Sequence, residues 1–248
     1  MKSLLKMTWV EAKLFLREPA SAFFTLIFPL LMLLIFGTIY GANPVPGTDS
    51  TESAIAALIP AFTGMSIGIV GLMPVTITMA TYRENGILRR LRTTPASPLM
   101  IMAAQVVVVF VMTALGVLLL MIAGKLVYHV QFTGNTLSLA AGFTFCSLSF
   151  FGTGFVLAGT MPTARTAQIV AMVLMYPMLI LSGAGWPREL MPAAVLKISN
   201  FLPLTYVVNL LRGLWFGESW GQHLLDVGVL AVMLIAGVLI SLKTFRWE

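Results

Sequence analysis

The amino-acid sequence predicts an all-α polytopic membrane protein, and three observations carry that reading. Hydrophobic residues fill 58% of the 248 positions and charged residues 10%, where a soluble domain carries about 25% charged residues. Mean hydropathy is +0.95. Six apolar runs, at about 21–40, 55–80, 99–124, 137–159, 166–183 and 224–242, each come near or above the ~20 residues that cross a bilayer as a helix. The chain is expected to form a single transmembrane domain over residues 1–248.

Residues 1–18 precede the first run. Lys2, Lys6, Lys13 and Arg17 are spaced 4, 7 and 4, which puts them on one helical face. Met7, Val10 and Leu14 occupy another face, with Trp9 and Phe15 near the boundary. This is the pattern of a helix lying in the membrane interface. Charges continue to Glu18 and a long apolar run follows, which reads against a cleavable signal peptide. Pro29, Pro60, Pro74 and Pro177 fall inside the spans, where membrane helices tolerate them as kinks. In the second span Gly64-x-x-x-Gly68 permits close approach of two helix backbones, and Gly71 follows.

After the second span comes a basic island, Tyr82 to Pro98, within an expected loop over residues 81–98. Arg83, Arg89, Arg90 and Arg92 crowd into it with Glu84 as its only acid. Asn85-Gly86 signals a turn, and Pro95 ends any helix begun at Ile87. Ile87 and Leu91 lie four apart on one face, with Leu88 beside them and the arginines on the remaining surface. A short amphipathic helix of this kind suits docking to a cytoplasmic partner.

Between the fifth and sixth spans, residues 184–223 are too long for a turn and too apolar for a solvated loop. Pro187 is expected to open a short helix through Ile198. Pro203 then opens an apolar stretch from Leu204 to Phe216, a length that favours a re-entrant or interfacial element over a span. Asn209 and Arg212 share one face of it. A helical hairpin dipping into the membrane from the outer side is the expected arrangement.

Charge sets the orientation. With both termini cytoplasmic, 11 of the 15 Lys and Arg residues lie inside, as the positive-inside rule requires. The outside keeps Lys125, Arg188, Lys197 and Arg212. The formal net charge of +6 suits anionic lipid headgroups or an acidic protein face, and no nucleic-acid motif accompanies it.

Catalytic chemistry finds little support. The spans are almost free of ionisable groups: Gln105 and Gln168 are polar but neutral, and Asp226 sits near an interface. An ion-coupled secondary carrier usually keeps a charged residue on its ion path, so that reading is disfavoured. Gly124-Lys125-Leu126 lacks the Ser/Thr of a phosphate-binding loop. His129 and His223 are far apart, Cys146 is the lone cysteine in an apolar run, and no metal set forms. His223 reaches Asp226 at i+3, with capping or interfacial solvation the expected role. Sixteen methionines suit either an adaptable pathway for greasy cargo or ordinary lipid-facing packing. A membrane-embedded lipid enzyme lacks a catalytic constellation, and a non-catalytic membrane anchor of another complex remains an alternative.

Two segments are similar in text to the ABC-2 type permeases of ATP-binding-cassette exporters, in the antibiotic and multidrug branch. The first is Tyr82-Arg83-Glu84-Asn85-Gly86-Ile87-Leu88-Arg89-Arg90-Leu91-Arg92-Thr93-Thr94-Pro95. The second comprises Leu181-Ser182-Gly183, Trp186-Pro187, Leu202-Pro203-Leu204-Thr205-Tyr206 and Leu211-Arg212-Gly213. The resemblance implies an exporter moving a drug-like or other amphipathic substrate. It implies a second permease copy or related permease, and a separate nucleotide-binding ATPase subunit that carries ATP and Mg, none being held by this chain. It implies docking of that ATPase on the loop from Tyr82 to Arg92, with a smaller contact at Pro162 and Arg165. It also implies an outer gate including Trp186, Pro187, Pro203, Tyr206, Asn209 and Arg212, in a prokaryotic inner or plasma membrane.

Overall fold

The computed structural model describes residues 2–42, 51–87, 98–185 and 191–244, and every regular element among them is helical. Six helices are long and apolar enough to cross a membrane: Pro19–Ile39, Ala54–Glu84, Met100–Tyr128, Thr136–Thr160, Ala164–Leu181 and Trp220–Thr244. The six expected spans are therefore present, the second and sixth of them longer by more than a turn.

Helix α1 (Lys2–Arg17) lies before the first span. The stripe it turns inward is Met7, Glu11 and Phe15, of which Glu11 and Phe15 are buried. Trp9, Val10 and Leu14 face outward. The expected faces need correction: Phe15 is the anchor, not a boundary residue, because a spacing of four keeps it in line with Met7 and Glu11.

The first span is α2 (Pro19–Ala22), a π-helical turn (Phe23–Ile27) and α3 (Phe28–Ala42). Pro29 cannot donate to the Thr25 carbonyl, and the ring displaces the turn before it, so the helix widens there. Gly116 packs against that same carbonyl from the third span: a Cβ at Gly116 would stand 2.5 Å from it. The second span is α4 (Thr51–Leu72) followed, across Met73, by α5 (Pro74–Glu84). It is the axis of the molecule, with 94% of its apolar window buried against 22% for the first, fifth and sixth spans. The third, fourth and fifth spans are α6 (Pro98–Tyr128), α7 (Thr136–Thr160) and α8 (Ala164–Leu181).

Small residues allow the helices to cross closely. Where α7 meets the second span, a Cβ at Gly154 would lie 2.1 Å from the Gly71 carbonyl oxygen. Thr76 Oγ1 donates to the Gly154 carbonyl at 3.1 Å in the same crossing.

The hairpin consists of α9 (Ala193–Ser199) and α10 (Pro203–Trp215), bent by 99°. Thr205 Oγ1 donates to the Ser199 carbonyl at 2.6 Å and Tyr206 Oη to the Asn200 carbonyl at 2.5 Å, which pins the corner. The short helix begins after Pro192, not at Pro187, and Trp186 and Pro187 lie outside the described residues. Helix α10 is embedded in the bundle, with Leu204, Val207, Val208, Leu210, Leu211 and Leu214 buried. Gly64 and Gly68 of α4 accommodate Val208 and Leu204 of α10, so their close approach is made within this chain. The sixth span is a 3-10 turn (Trp220–His223) continuing into α11 (Leu224–Thr244). Gly237 of α11 rests on Gly152 of α7, and Ser149 Oγ donates to the Leu230 carbonyl at 3.0 Å.

Candidate functional site: the loop end of the bundle

Three consecutive side chains at the end of α5 point to three different places. Tyr82 Oη donates to Glu11 Oε1 of α1 at 2.9 Å. Arg83 Nη1 donates to the Gly159 carbonyl at 2.7 Å, and Nη2 to the Met161 carbonyl. Glu84 Oε2 accepts from the backbone N–H of Ala164 at 2.7 Å. A helix allows this, since successive residues turn by about 100° and so cannot share a target.

The chemistry of Arg83 and Glu84 is complementary. Helix α7 ends at Thr160 with unmade carbonyl bonds and the negative end of its dipole. The Arg83 guanidinium fills that end with two donors. Helix α8 begins at Ala164 with free N–H groups and a positive dipole end. The Glu84 carboxylate caps it, alongside Thr163 Oγ1, which accepts from Thr166 N–H at 3.1 Å. One adjacent pair of charges therefore clamps the turn between two spans.

Beyond Glu84 the chain turns as its residues dictate. Asn85 N–H donates to the Thr81 carbonyl at 3.0 Å, and Gly86 has φ +66°, a left-handed conformation suited to glycine. Ile87 is half-buried where the description ends; Leu88, Arg89, Arg90, Leu91 and Arg92 lie outside the described residues. Pro162 and Arg165 are exposed on the clamped turn. The structure thus brings Arg83 and Glu84 against the turn that holds Pro162 and Arg165, and Tyr82 against α1.

Glu11 had escaped the sequence reading. Its signal was a charged residue on the stripe of Met7 and Phe15, with the tyrosine partner 71 positions away. It is 4% exposed, and burial raises its carboxyl above the usual carboxylate range.

At the hairpin end, Pro203, Tyr206, Asn209 and Arg212 all sit on α10. Asn209 Nδ2 donates to Asp226 Oδ1 at 3.4 Å. His223 Nδ1 lies 2.8 Å from Asp226 Oδ2 and Nε2 lies 2.8 Å from Glu218 Oε2. The expected capping or interfacial solvation of His223 gives way to pairing with Asp226 and Glu218: Gly213, whose Cβ would collide with the ring, leaves room for it between two carboxylates. Among the described residues no group of His, Cys, Asp and Glu is arranged to hold a metal.

Six apolar helices, a hairpin set into the bundle and a clamped turn define a multi-pass membrane protein. The ABC-2 type transporter family model matches residues 2–216, and the chain belongs to that family. It is 27% identical over 225 residues to a putative transport permease of Cyanophora paradoxa, covering 88% of this chain and 74% of that protein. It is 26% identical over 205 residues to a putative transport permease of Bacillus subtilis, covering 82% and 81%. With nodulation protein J of Rhizobium leguminosarum bv. viciae it shares 30% identity over 99 residues, 40% of this chain and 38% of that protein. With a probable multidrug ABC transporter permease of Escherichia coli strain K12 it shares 23% identity over 163 residues, 65% of this chain and 44% of that one.

Proposed function

We propose that this chain is the membrane permease subunit of an ATP-binding-cassette exporter. It works with a second permease, identical or related, and with a separate nucleotide-binding subunit that binds ATP and Mg. That ATPase docks on the loop of residues 81–98 from the cytoplasm, where both termini also lie. The observation that carries the reading is the three-way tether of Tyr82, Arg83 and Glu84. A push on the loop is delivered at once to α1, to the buried second span and to the turn joining the fourth and fifth spans. Rigid connection of this kind is what converts closure of an ATPase into rocking of helices.

The cargo is a drug-like or other amphipathic molecule. A cleft of about 300 Å³ between the first, second and fifth spans supports this. Phe24, Phe28, Met172 and Met175 give it apolar walls, while Thr25 and Gln168 add polar groups. Aromatic and methionine walls accept many shapes, and the Escherichia coli relative, a probable multidrug ABC transporter permease, points to the same class.

The test is isolation of the tagged chain from its native membrane, followed by assay of ATP hydrolysis with rhodamine 6G as the probe. An ATPase should accompany the chain, and the dye should stimulate hydrolysis. The Arg83→Ala/Glu84→Ala variant should retain the ATPase yet lose the stimulation. Dye uptake into vesicles driven by a proton gradient alone would overturn the proposal.

A further inference from the structure

A second cleft, also of about 300 Å³, lies between α1, the second span and the third span. Pro74, Ile77 and Glu18 line both clefts, but this one opens on the α6 side and takes Glu11, Tyr82 and Gln105 into its wall. Its polar lining combines two carboxyl groups, the Gln105 amide and the hydroxyls of Thr78, Thr81 and Tyr82. Glu11 is buried and Glu18 adds a second carboxylate. Gln105 is 3% exposed, and its Oε1 has no hydrogen-bond partner. Tyr82 already donates its proton to Glu11. Among the described residues no Lys, Arg or His lines the cleft. Phe15, Val108 and Val109 form its apolar side.

A buried carbonyl oxygen without a donor is costly, and so is a buried carboxylate without a cation. Both deficits are met by the same ligand. From this juxtaposition we infer that the cleft is a binding site for an amphipathic ammonium group, its N–H donors on Glu11 and Gln105 and its alkyl part along Val108 and Val109. The ammonium comes either from a free amphipathic amine or from the headgroup of an aminophospholipid at the membrane interface. The inference rests on the cleft alone and stands whether or not the chain is an exporter. An occupant would bear on the tether, because Glu11 is the residue that Tyr82 holds.

The experiment uses the purified chain in phosphatidylcholine nanodiscs, titrated calorimetrically with decylammonium and, as a control for partitioning, with decanol. Saturable binding of decylammonium, absent for decanol and for empty nanodiscs, is expected. Glu11→Gln and Gln105→Leu should each weaken it at least tenfold. Glu11→Gln keeps an acceptor for Tyr82, and Gln105→Leu removes the orphaned oxygen, so the second variant decides the matter should the first fail to fold. Native mass spectrometry from mixed phosphatidylethanolamine and phosphatidylcholine nanodiscs separates the sources. Retained phosphatidylethanolamine that decylammonium displaces assigns the site to lipid, and decylammonium binding without retained lipid assigns it to a free amine. Equal decylammonium binding by wild type and Gln105→Leu, or decanol binding as tight as decylammonium, would refute the site.

Discussion

Arg83 and Glu84 are neighbours in sequence yet stabilise opposite ends of two different helices. Removing Arg83 leaves the Gly159 and Met161 carbonyls without their charged donor. Arg83→Ala should therefore lower stability by about 2 kcal/mol, as expected for lost hydrogen bonds to a charged group. Arg83→Lys should recover only part of that, since an ammonium lacks the planar fork that spans two carbonyls. Thermal unfolding in detergent measures both. Glu11 makes a prediction about pH. Burial raises its carboxyl above the ordinary value near 4.5, so the folded chain keeps a proton that the unfolded chain has released. The stability this group contributes is full below that ordinary value and is lost as pH rises through the raised one. In amine-free detergent, the Tm of wild type should fall relative to that of Glu11→Gln as pH is raised from acid to neutral. A constant difference across that range would contradict it.

Between elements, the glycines separate tight crossings from open surface. A Cβ at Gly154 would meet the backbone of the second span, whereas one at Gly228 meets nothing within 4 Å. Gly154→Ala should therefore cost about 3 kcal/mol, at the upper end for overpacking. Gly228→Ala should be neutral or stabilising by up to about 1 kcal/mol, through helix propensity. Thermal unfolding of the pair distinguishes packing from a general intolerance of change in the spans. The loop beyond Gly86 yields a prediction from its sequence. If Leu91 packs on the ATPase, its burial is worth about 1.5–3 kcal/mol, and Leu91→Asp replaces that gain with an unpaired charge. Insertion should survive, while export and coupled ATP hydrolysis fall together. Pull-down of the ATPase by the correctly inserted variant is the measurement, and undiminished capture with full export would count against docking there.

For the whole molecule, the orientation rests on the 11-to-4 division of basic residues. Ser50→Cys and Thr94→Cys, in a Cys146→Ser background, should label with an impermeant thiol reagent from outside and from inside respectively. The reverse pattern would invert the topology and remove the loop from the cytoplasm. Length and composition were enough to show six spans, an amphipathic first helix, a bent hairpin after the fifth span and a turn at Asn85-Gly86. Each depends on periodicity or on a local breaker, which a single stretch of chain displays. Which residues meet became visible only in the folded chain. Tyr82 and Glu11 are 71 positions apart, Arg83 and Gly159 are 76 apart, and Glu84 and Ala164 are 80 apart. No local pattern announces such pairs, and two of the three acceptors or donors are backbone groups that carry no residue signature at all. Gly64 and Gly68 make the same point from the other side. Their spacing revealed that something would approach closely, and only packing showed it to be the chain's own α10. A membrane helix advertises its length through the bilayer, but its neighbours are chosen by shape and by the few polar groups that must find partners inside it.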